Sequence, residues 1–304
     1  MIATLAAAMC VVLSPIAASA AAPELVRTLG GPNHAEMYPS GVEVAPDGTL
    51  VIADTGNNQV AKYTTAGTQL WRVGSYGTGN GQFWNPRDIA ITNDGTVYVD
   101  DTRNNRIVML NGSNGNWLGT FSGPTGNKIS FALGVSAHDT AAGERIYVAD
   151  SGKNKIRVFD TAGNQLTEFK ITSGECLFQD VRDADADAAG NIYIANYKGH
   201  NVVKLSPTGA CLQAWVTGTT ANNTPYGISV NTDPFLGERV YVALGNEDRI
   251  EIWTKNGATR EAAIRRSSVS VPGWPTVPSP PNAASRVAPF LVQISIRSSL
   301  PSAT

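Results

Sequence analysis

The chain has 304 residues, a formal net charge of -2 and only 16% charged side chains. That length holds one large or two ordinary domains, and that charge gives none of the basic footprint that nucleic acid requires. The 30 glycines, set among sparse charges, suit an all-β protein with many turns.

Residues 1–22 are small and apolar, with Val11-Val12-Leu13 in the middle and Ala18-Ser19-Ala20 at the end. They read as a secretory signal peptide with an A-x-A cleavage site, which predicts a secreted or cell-surface protein. A lipoprotein reading through Cys10 is weaker, because Ala8-Met9-Cys10 is a poor lipobox. The leader is too short and too alanine-rich for a permanent span. Cys176 and Cys211 remain in the mature chain, and export makes a disulfide between them a candidate.

Glu24 to Gly31 resembles Leu70 to Gly74, so the mature chain opens on an isolated fourth strand. From Tyr38 to Gly74 come alternating runs at Val42–Val44, Leu50–Ile52, Val60–Tyr63 and Leu70–Arg72. Pro46-Asp47-Gly48, Asp54 to Asn58 and Ala66-Gly67 separate them. Alternation between such turn clusters marks half-buried strands, and Asp-Gly marks a hairpin. The stretch is therefore a four-stranded antiparallel meander.

The unit recurs from Asn85, through Glu144 to Phe169, from Asp180 and from Thr224. The residue closing its second strand is Asp54, Asp101, Asp150, Asn196 and Leu244. The glycine before its fourth strand is Gly67, Gly115, Gly163, Gly209 and Gly257. Both series step by about 46 to 49 residues, and four strands at that period are the signature of a β-propeller. A meander has two apolar faces, and radial packing buries both. The expectation is an all-β propeller of four-stranded antiparallel blades over residues 23–263, five of them clear and a sixth degenerate or missing. The strand near Leu25 would close the ring.

Residues 264–304 contain no Asp, Glu or Lys and lose the repeat. Arg265 to Arg286 should be irregular, with one strand at Phe290 to Ile296. This Pro/Ser/Arg-rich tail reads as a truncated sixth blade or as sequence foreign to the propeller, such as a shifted reading frame.

The second unit carries Pro86, Ile89, Asp94-Gly95, Val97-Tyr98-Val99, Asp101, Asn104-Asn105 and Ile107, and the third carries Ile146 to Asp150, Asn154 and Ile156. This pattern resembles the NHL repeat, over about Tyr38 to Arg260. The resemblance implies a ring of six blades. Its functional range is wide: extracellular ligand sensors, scaffolds, RNA-binding domains, peptide-amidating lyases and streptogramin lyases. The amidating lyases would imply three histidines around a zinc. Here His34 precedes the first blade, His138 falls in a first hairpin and His200 in a second-to-third-strand turn, so the three should not converge.

The Asp54, Asp101, Asp150, Asn196 series is regular, and regularity belongs to architecture: each side chain should accept backbone N–H groups in its turn. Asymmetry marks a site. The residues that open each innermost strand are Ser40, Arg87, Leu133, Arg182 and Tyr226, followed by Gly41, Asp88, Gly134, Asp183 and Gly227. In a propeller they surround the mouth of the central channel. Arg87, Asp88, Arg182 and Asp183, with Tyr197 and Tyr226 as apolar contacts, could anchor a peptide terminus or a small polar ligand. Pairing of each Arg with an Asp between blades is the structural alternative. Phe83, Trp84 and Phe178 read as aromatic wedges near the same face. Asp183, Asp185 and Asp187 alternate on one strand, where they would bind calcium or lie at the surface paired with Arg182 or Lys198.

The expected function is an exported, monomeric module for a protein, peptide or cell-surface ligand. It needs no catalytic residue and no cofactor. The alternative is a metal-assisted lyase or lactonase on the same scaffold.

Overall fold

The computed structural model describes residues 37–217, 224–233, 237–245, 249–257 and 260–265. All lie in one unit, Met37–Thr304. The leader, the strand near Leu25, His34 and the tail beyond Arg265 lie outside the described residues.

Among the described residues, twenty strands form five separate four-stranded sheets, each an antiparallel meander in chain order. Blade 1 comprises β1 (Gly41–Val44), β2 (Leu50–Asp54), β3 (Gln59–Tyr63) and β4 (Gln69–Val73). Blade 2 comprises β5 (Pro86–Ile91), β6 (Thr96–Asp101), β7 (Arg106–Asn111) and β8 (Trp117–Phe121). Blade 3 comprises β9 (Gly134–Thr140), β10 (Gly143–Asp150), β11 (Lys155–Phe159) and β12 (Gln165–Phe169). Blade 4 comprises β13 (Val181–Ala186), β14 (Ile192–Asn196), β15 (Asn201–Leu205) and β16 (Cys211–Val216). Blade 5 comprises β17 (Pro225–Asp233), β18 (Gly237–Leu244), β19 (Arg249–Thr254) and β20 (Arg260–Arg265). The described chain is an all-β propeller of five blades without an α-helix. Among the described residues, no helix is long and apolar enough to cross a membrane.

Strand alternation fills the seams between blades. On β6, Val97 and Val99 face blade 1 and pack with Val51, Val60 and Trp71, whereas Tyr98 faces blade 3 and packs with Ile146 and Phe159. The seam between blades 3 and 4 joins Tyr147 and Ile156 to Phe178, Ile192 and Ile194. The seam between blades 4 and 5 joins Tyr193, Val202 and Trp215 to Ile228, Val240 and Val242. Each such aliphatic side chain contributes about 1.5–3 kcal/mol when removed from water, and a single sheet could shelter only one of its faces.

The innermost strands β1, β5, β9, β13 and β17 follow one another in that order. Strand direction separates two ends of the propeller. At the hairpin end lie the turns from first to second and from third to fourth strands. At the junction end lie the turns from second to third strands and the connections between blades. Each of the first four blades turns there through a single 3-10 turn. That turn closes on a residue in the left-handed region: Asn58, Asn105, Asn154 and His200, at φ 54°, 55°, 52° and 54°. Asparagine tolerates this conformation better than most residues.

Candidate functional site at the channel mouth

The repeated carboxylates serve the backbone. Asp54 Oδ1 accepts the N–H of Tyr38 at 2.9 Å, Asp101 Oδ1 that of Trp84 at 2.7 Å, Asp150 Oδ1 that of Ser130 at 2.9 Å, and Asn196 Oδ1 that of Gln179 at 2.6 Å. All four side chains are fully buried, and each ties the chain entering a blade to the turn of the same blade. The left-handed asparagines reach onward. Asn58 Oδ1 accepts the N–H of Asn85 at 2.8 Å, and Asn105 Oδ1 that of Phe131 at 2.7 Å. Asn154 does the same for Val181 at 3.2 Å.

Asp88 and Asp183 do not pair with the arginines beside them. Asp88 Oδ2 accepts the N–H of Val135 in the next blade at 2.9 Å, and Asp183 Oδ2 accepts that of Ile228 at 2.8 Å. The glycines at the same position in other blades have a steric cause. A Cβ at Gly41 would meet Arg87 O at 2.6 Å, and one at Gly134 would meet Arg182 O at 2.8 Å. Glycine in one blade therefore admits the close approach of the next blade's Arg-Asp pair. The expected surface carboxylates on β13 are instead buried. Asp185 Oδ2 accepts the N–H of Val230 at 2.8 Å, and Asp187 accepts bonds from Asn191 and Tyr193. The first strand of the next blade is an edge whose N–H groups need acceptors, and these carboxylates supply them.

Burial raises the Asp88 carboxyl to about 7, with the charge of Asp185 acting in the same direction. Burial also raises Asp183 well above the usual carboxylate range, and Asp88 adds to it. Among the described residues no group of three His, Cys, Asp or Glu side chains is placed to hold a metal ion. His138 stands with Nδ1 3.5 Å from Asp185 Oδ1, toward the hairpin end, and His200 sits in a turn at the junction end.

The arginines behave differently from the aspartates. Arg182 is held by Asp180 and two rings: Nη2 donates to Asp180 Oδ2 at 3.1 Å, and Nε lies 3.1 Å from Asp180 Oδ1 without the geometry of a hydrogen bond. Its guanidinium covers the ring of Tyr197 at 4.2 Å and lies 5.7 Å from that of Tyr226. Those rings meet edge to face at 4.9 Å, and the Tyr226 hydroxyl donates to the Tyr197 hydroxyl at 3.3 Å. Burial first, and then this bond, push the Tyr226 phenol up to about 12. Arg87 is held loosely. Its Nε donates to Asn85 Oδ1 at 3.3 Å, and among the described residues neither terminal nitrogen has a hydrogen-bond partner. Burial lowers its guanidinium pKa; Asp100 opposes that, while Arg182 and Arg103 add to it. The two hub arginines thus feel each other's charge.

Asp100 was not singled out from the sequence, although the repeat marks it. The residue before each closing Asp or Asn is Ala53, Ala149, Ala195 or, in blade 5, Ala243; blade 2 alone has an acid there. Asp100 is fully buried, its Oδ1 has no partner, and burial raises its carboxyl well above the usual range. It also diverts a bond. Thr55 donates its hydroxyl to Pro86 O of the next blade at 2.6 Å, whereas Thr102 donates to Asp100 Oδ2 at 3.0 Å. Blade 2 therefore shares its Arg-Asp pair with blade 4 and alone adds Asp100, whose field acts on Arg87.

Phe83 and Phe178 are buried wedges, but Trp84 is 37% exposed, with Arg103 5.8 Å above its ring and Tyr76 edge-on at 5.6 Å. Cys176 and Cys211 form a disulfide, their Cα atoms 5.8 Å apart. Strand order alone puts them at opposite ends of blade 4. The connection from β12 to β13 instead folds back along β15 and β16, where Cys176 lies 3.6 Å from Gln213 O.

No curated protein matches the chain. Among solved structures, a catalytically inactive virginiamycin B lyase from Staphylococcus aureus with quinupristin is similar. It has 15% sequence identity and a TM-score of 0.57, over 74% of this chain and 69% of that one. A protein of unknown function from Bacteroides caccae has 13% identity and a TM-score of 0.51, over 72% of this chain and 78% of that one. The WD40 repeats of RRP9 have 16% identity and a TM-score of 0.58, over 77% of this chain and 64% of that one. At these identities the likeness is one of fold. The model of the family described as outer membrane protein assembly factor BamB matches residues 27–257, and with this match across most of its length the chain belongs to that family.

Proposed function

We propose that the protein is an exported propeller that binds a protein, peptide or cell-surface ligand at the junction-end mouth, with Arg87 and Arg182 as anchors. The observation that carries this reading is the contrast between them. Arg182 is preorganised between Asp180 and two tyrosines, while the terminal nitrogens of the neighbouring Arg87 lack partners among the described residues. A planar donor fork held in place beside a second one suits a ligand that offers acceptors to both.

The apolar leader supports export, and the NHL-like motif around Tyr98 supports a recognition role. The family's printed name, an assembly factor, supports an interaction module over a catalyst. Asp88 and Asp183 now belong to the scaffold in this reading, because backbone N–H groups occupy them. The lyase alternative draws on the virginiamycin B lyase likeness, which extends to the fold.

The test replaces Arg87 and Arg182 together by alanine and probes both proteins with an array of random twelve-residue peptides. Loss of the spots bound by the parent protein, at an unchanged melting temperature, is the expected result. An identical spot pattern would refute the site.

A further inference from the structure

Among the described residues, charge is mixed at one end of the propeller and mainly positive at the other. The hairpin end presents Asp47, Asp94, Asp139, Glu144, Asp160 and Glu238, against Lys62, Arg145, Lys204, Arg239 and Lys255. Among the described residues, the junction end presents Arg87, Arg103, Lys128, Lys153, Arg182 and Lys198, against Glu168, Glu175 and Asp180, of which Glu168 is engaged by Lys155 and Arg157. Asp180 is already engaged by Arg182 and Lys198. Asp54, Asp101 and Asp150 of this end are sealed beneath the surface, where they hold backbone N–H groups.

The same end carries exposed aromatic rings: Trp84 at 37%, Phe131 at 40%, Tyr38 at 56% and Tyr76 at 63%. They follow the blade connections in order, and three have their backbone N–H groups held by side chains, Tyr38 by Asp54, Trp84 by Asp101 and Phe131 by Asn105. Asn105 receives the N–H of Phe131, and Asn58 receives that of Asn85, next to Trp84. Fixed rings interleaved with cations give apolar contact and charge together at little ordering cost.

We infer that the junction end docks an acidic polypeptide segment, whose carboxylates meet the arginines at the mouth while its apolar side chains lie on the aromatic arc. This rests on the mouth-binding reading and assigns it a ligand class. Charge complementarity fixes the sign of the partner. A short acidic segment also fits the whole chain better than a long polyanion does, because the protein is itself slightly acidic, at -2, and its hairpin end exposes Asp94 and Asp139.

The test uses the full chain and two fluorescent pools of twelve-residue peptides. One is composed of Glu, Phe, Leu and Ser; the other has Gln in place of Glu. A single-stranded oligonucleotide of matched charge is the third probe. Anisotropy is read on the parent protein, on Arg103→Glu/Lys128→Glu at the rim, and on Arg87→Ala/Arg182→Ala at the mouth, with each variant's melt as a folding control. The acidic pool should bind best, weaken with salt, and lose about tenfold in affinity on rim reversal. Equal binding of the two pools that still depends on Arg87 and Arg182 overturns the acidic preference and leaves the mouth reading standing. Tighter binding of the oligonucleotide overturns the polypeptide assignment. Binding that neither variant alters removes the mouth reading as well.

Discussion

Asp183 reaches across the seam between blades 4 and 5 to the backbone of Ile228, whose N–H its Oδ2 accepts at 2.8 Å, while its Oδ1 accepts the N–H of Ala184. Replacing Asp183 with Ala leaves both N–H groups buried without an acceptor. Each such group costs about 1–3 kcal/mol, so the guanidinium midpoint of Asp183→Ala should fall. An unchanged midpoint would show that the contact carries no stability.

The pH dependence of stability follows from Asp88. Its folded-state pKa, about 7, stands above the unfolded value of about 3.9. Between those values the native chain holds a proton that the unfolded chain has released. Stability from this group is therefore full at the acidic side of the window and is lost as pH rises toward 7. Urea titrations at pH 4.5 and 7.5 should show that decline in the parent protein and a smaller one in Asp88→Asn. Equal declines would place the titration elsewhere.

Asp100→Ala restores the residue the other blades carry and removes a buried oxygen without a partner. Stability should rise by about 1–3 kcal/mol, the cost of such a group, and the melting temperature with it. The same substitution removes the carboxyl whose field opposes the lowering of the Arg87 pKa, so ligand capture at the mouth should change while the fold gains. A fall in melting temperature would mean that the bond from Thr102 to Asp100 Oδ2 outweighs the unpartnered Oδ1.

The disulfide spans a sequence separation of 35. By loop-closure entropy a bridge of that span contributes about 4 kcal/mol. Cys176→Ser, or reduction of the parent protein, should lower the denaturant midpoint accordingly. The connection it pins also carries Asp180, the partner of Arg182, so peptide binding should weaken even without denaturant, where the fold survives. Binding that survives reduction intact would separate the bridge from the mouth.

Much of the architecture could be read from residues alone. The closing residues Asp54, Asp101, Asp150 and Asn196, and the glycines before each fourth strand, set the register of the blades, because turn chemistry is local and repeats with the unit. What the aspartates of the inner strands bind was not legible. The N–H groups of Val135 and Ile228 lie in other blades, and sequence spacing says nothing of which edge faces which. Cys176 and Cys211 seemed poorly placed for the same reason, since the path of a connection depends on what it packs against. Arg182, Tyr197 and Tyr226 were visible as departures from the repeat, but their stacking was not. Asp100 was visible by the same criterion, as an acid in a column of alanines, and it needed only a comparison one residue before the landmark.

The seam fastenings have a bearing on how such a chain could change its number of blades. Asn58 holds the N–H of Asn85, and Asn105 holds that of Phe131; both recipients share the same backbone conformation, at φ 59° and 53°. Deleting one whole repeat between those points would bring Asn58 to Phe131 with a matching latch already in place. Gain or loss of a blade by unequal recombination therefore leaves these latches intact, whereas a cut at any other phase strands half of one. The hardware of the seams is itself a ruler that admits only whole-unit evolutionary steps.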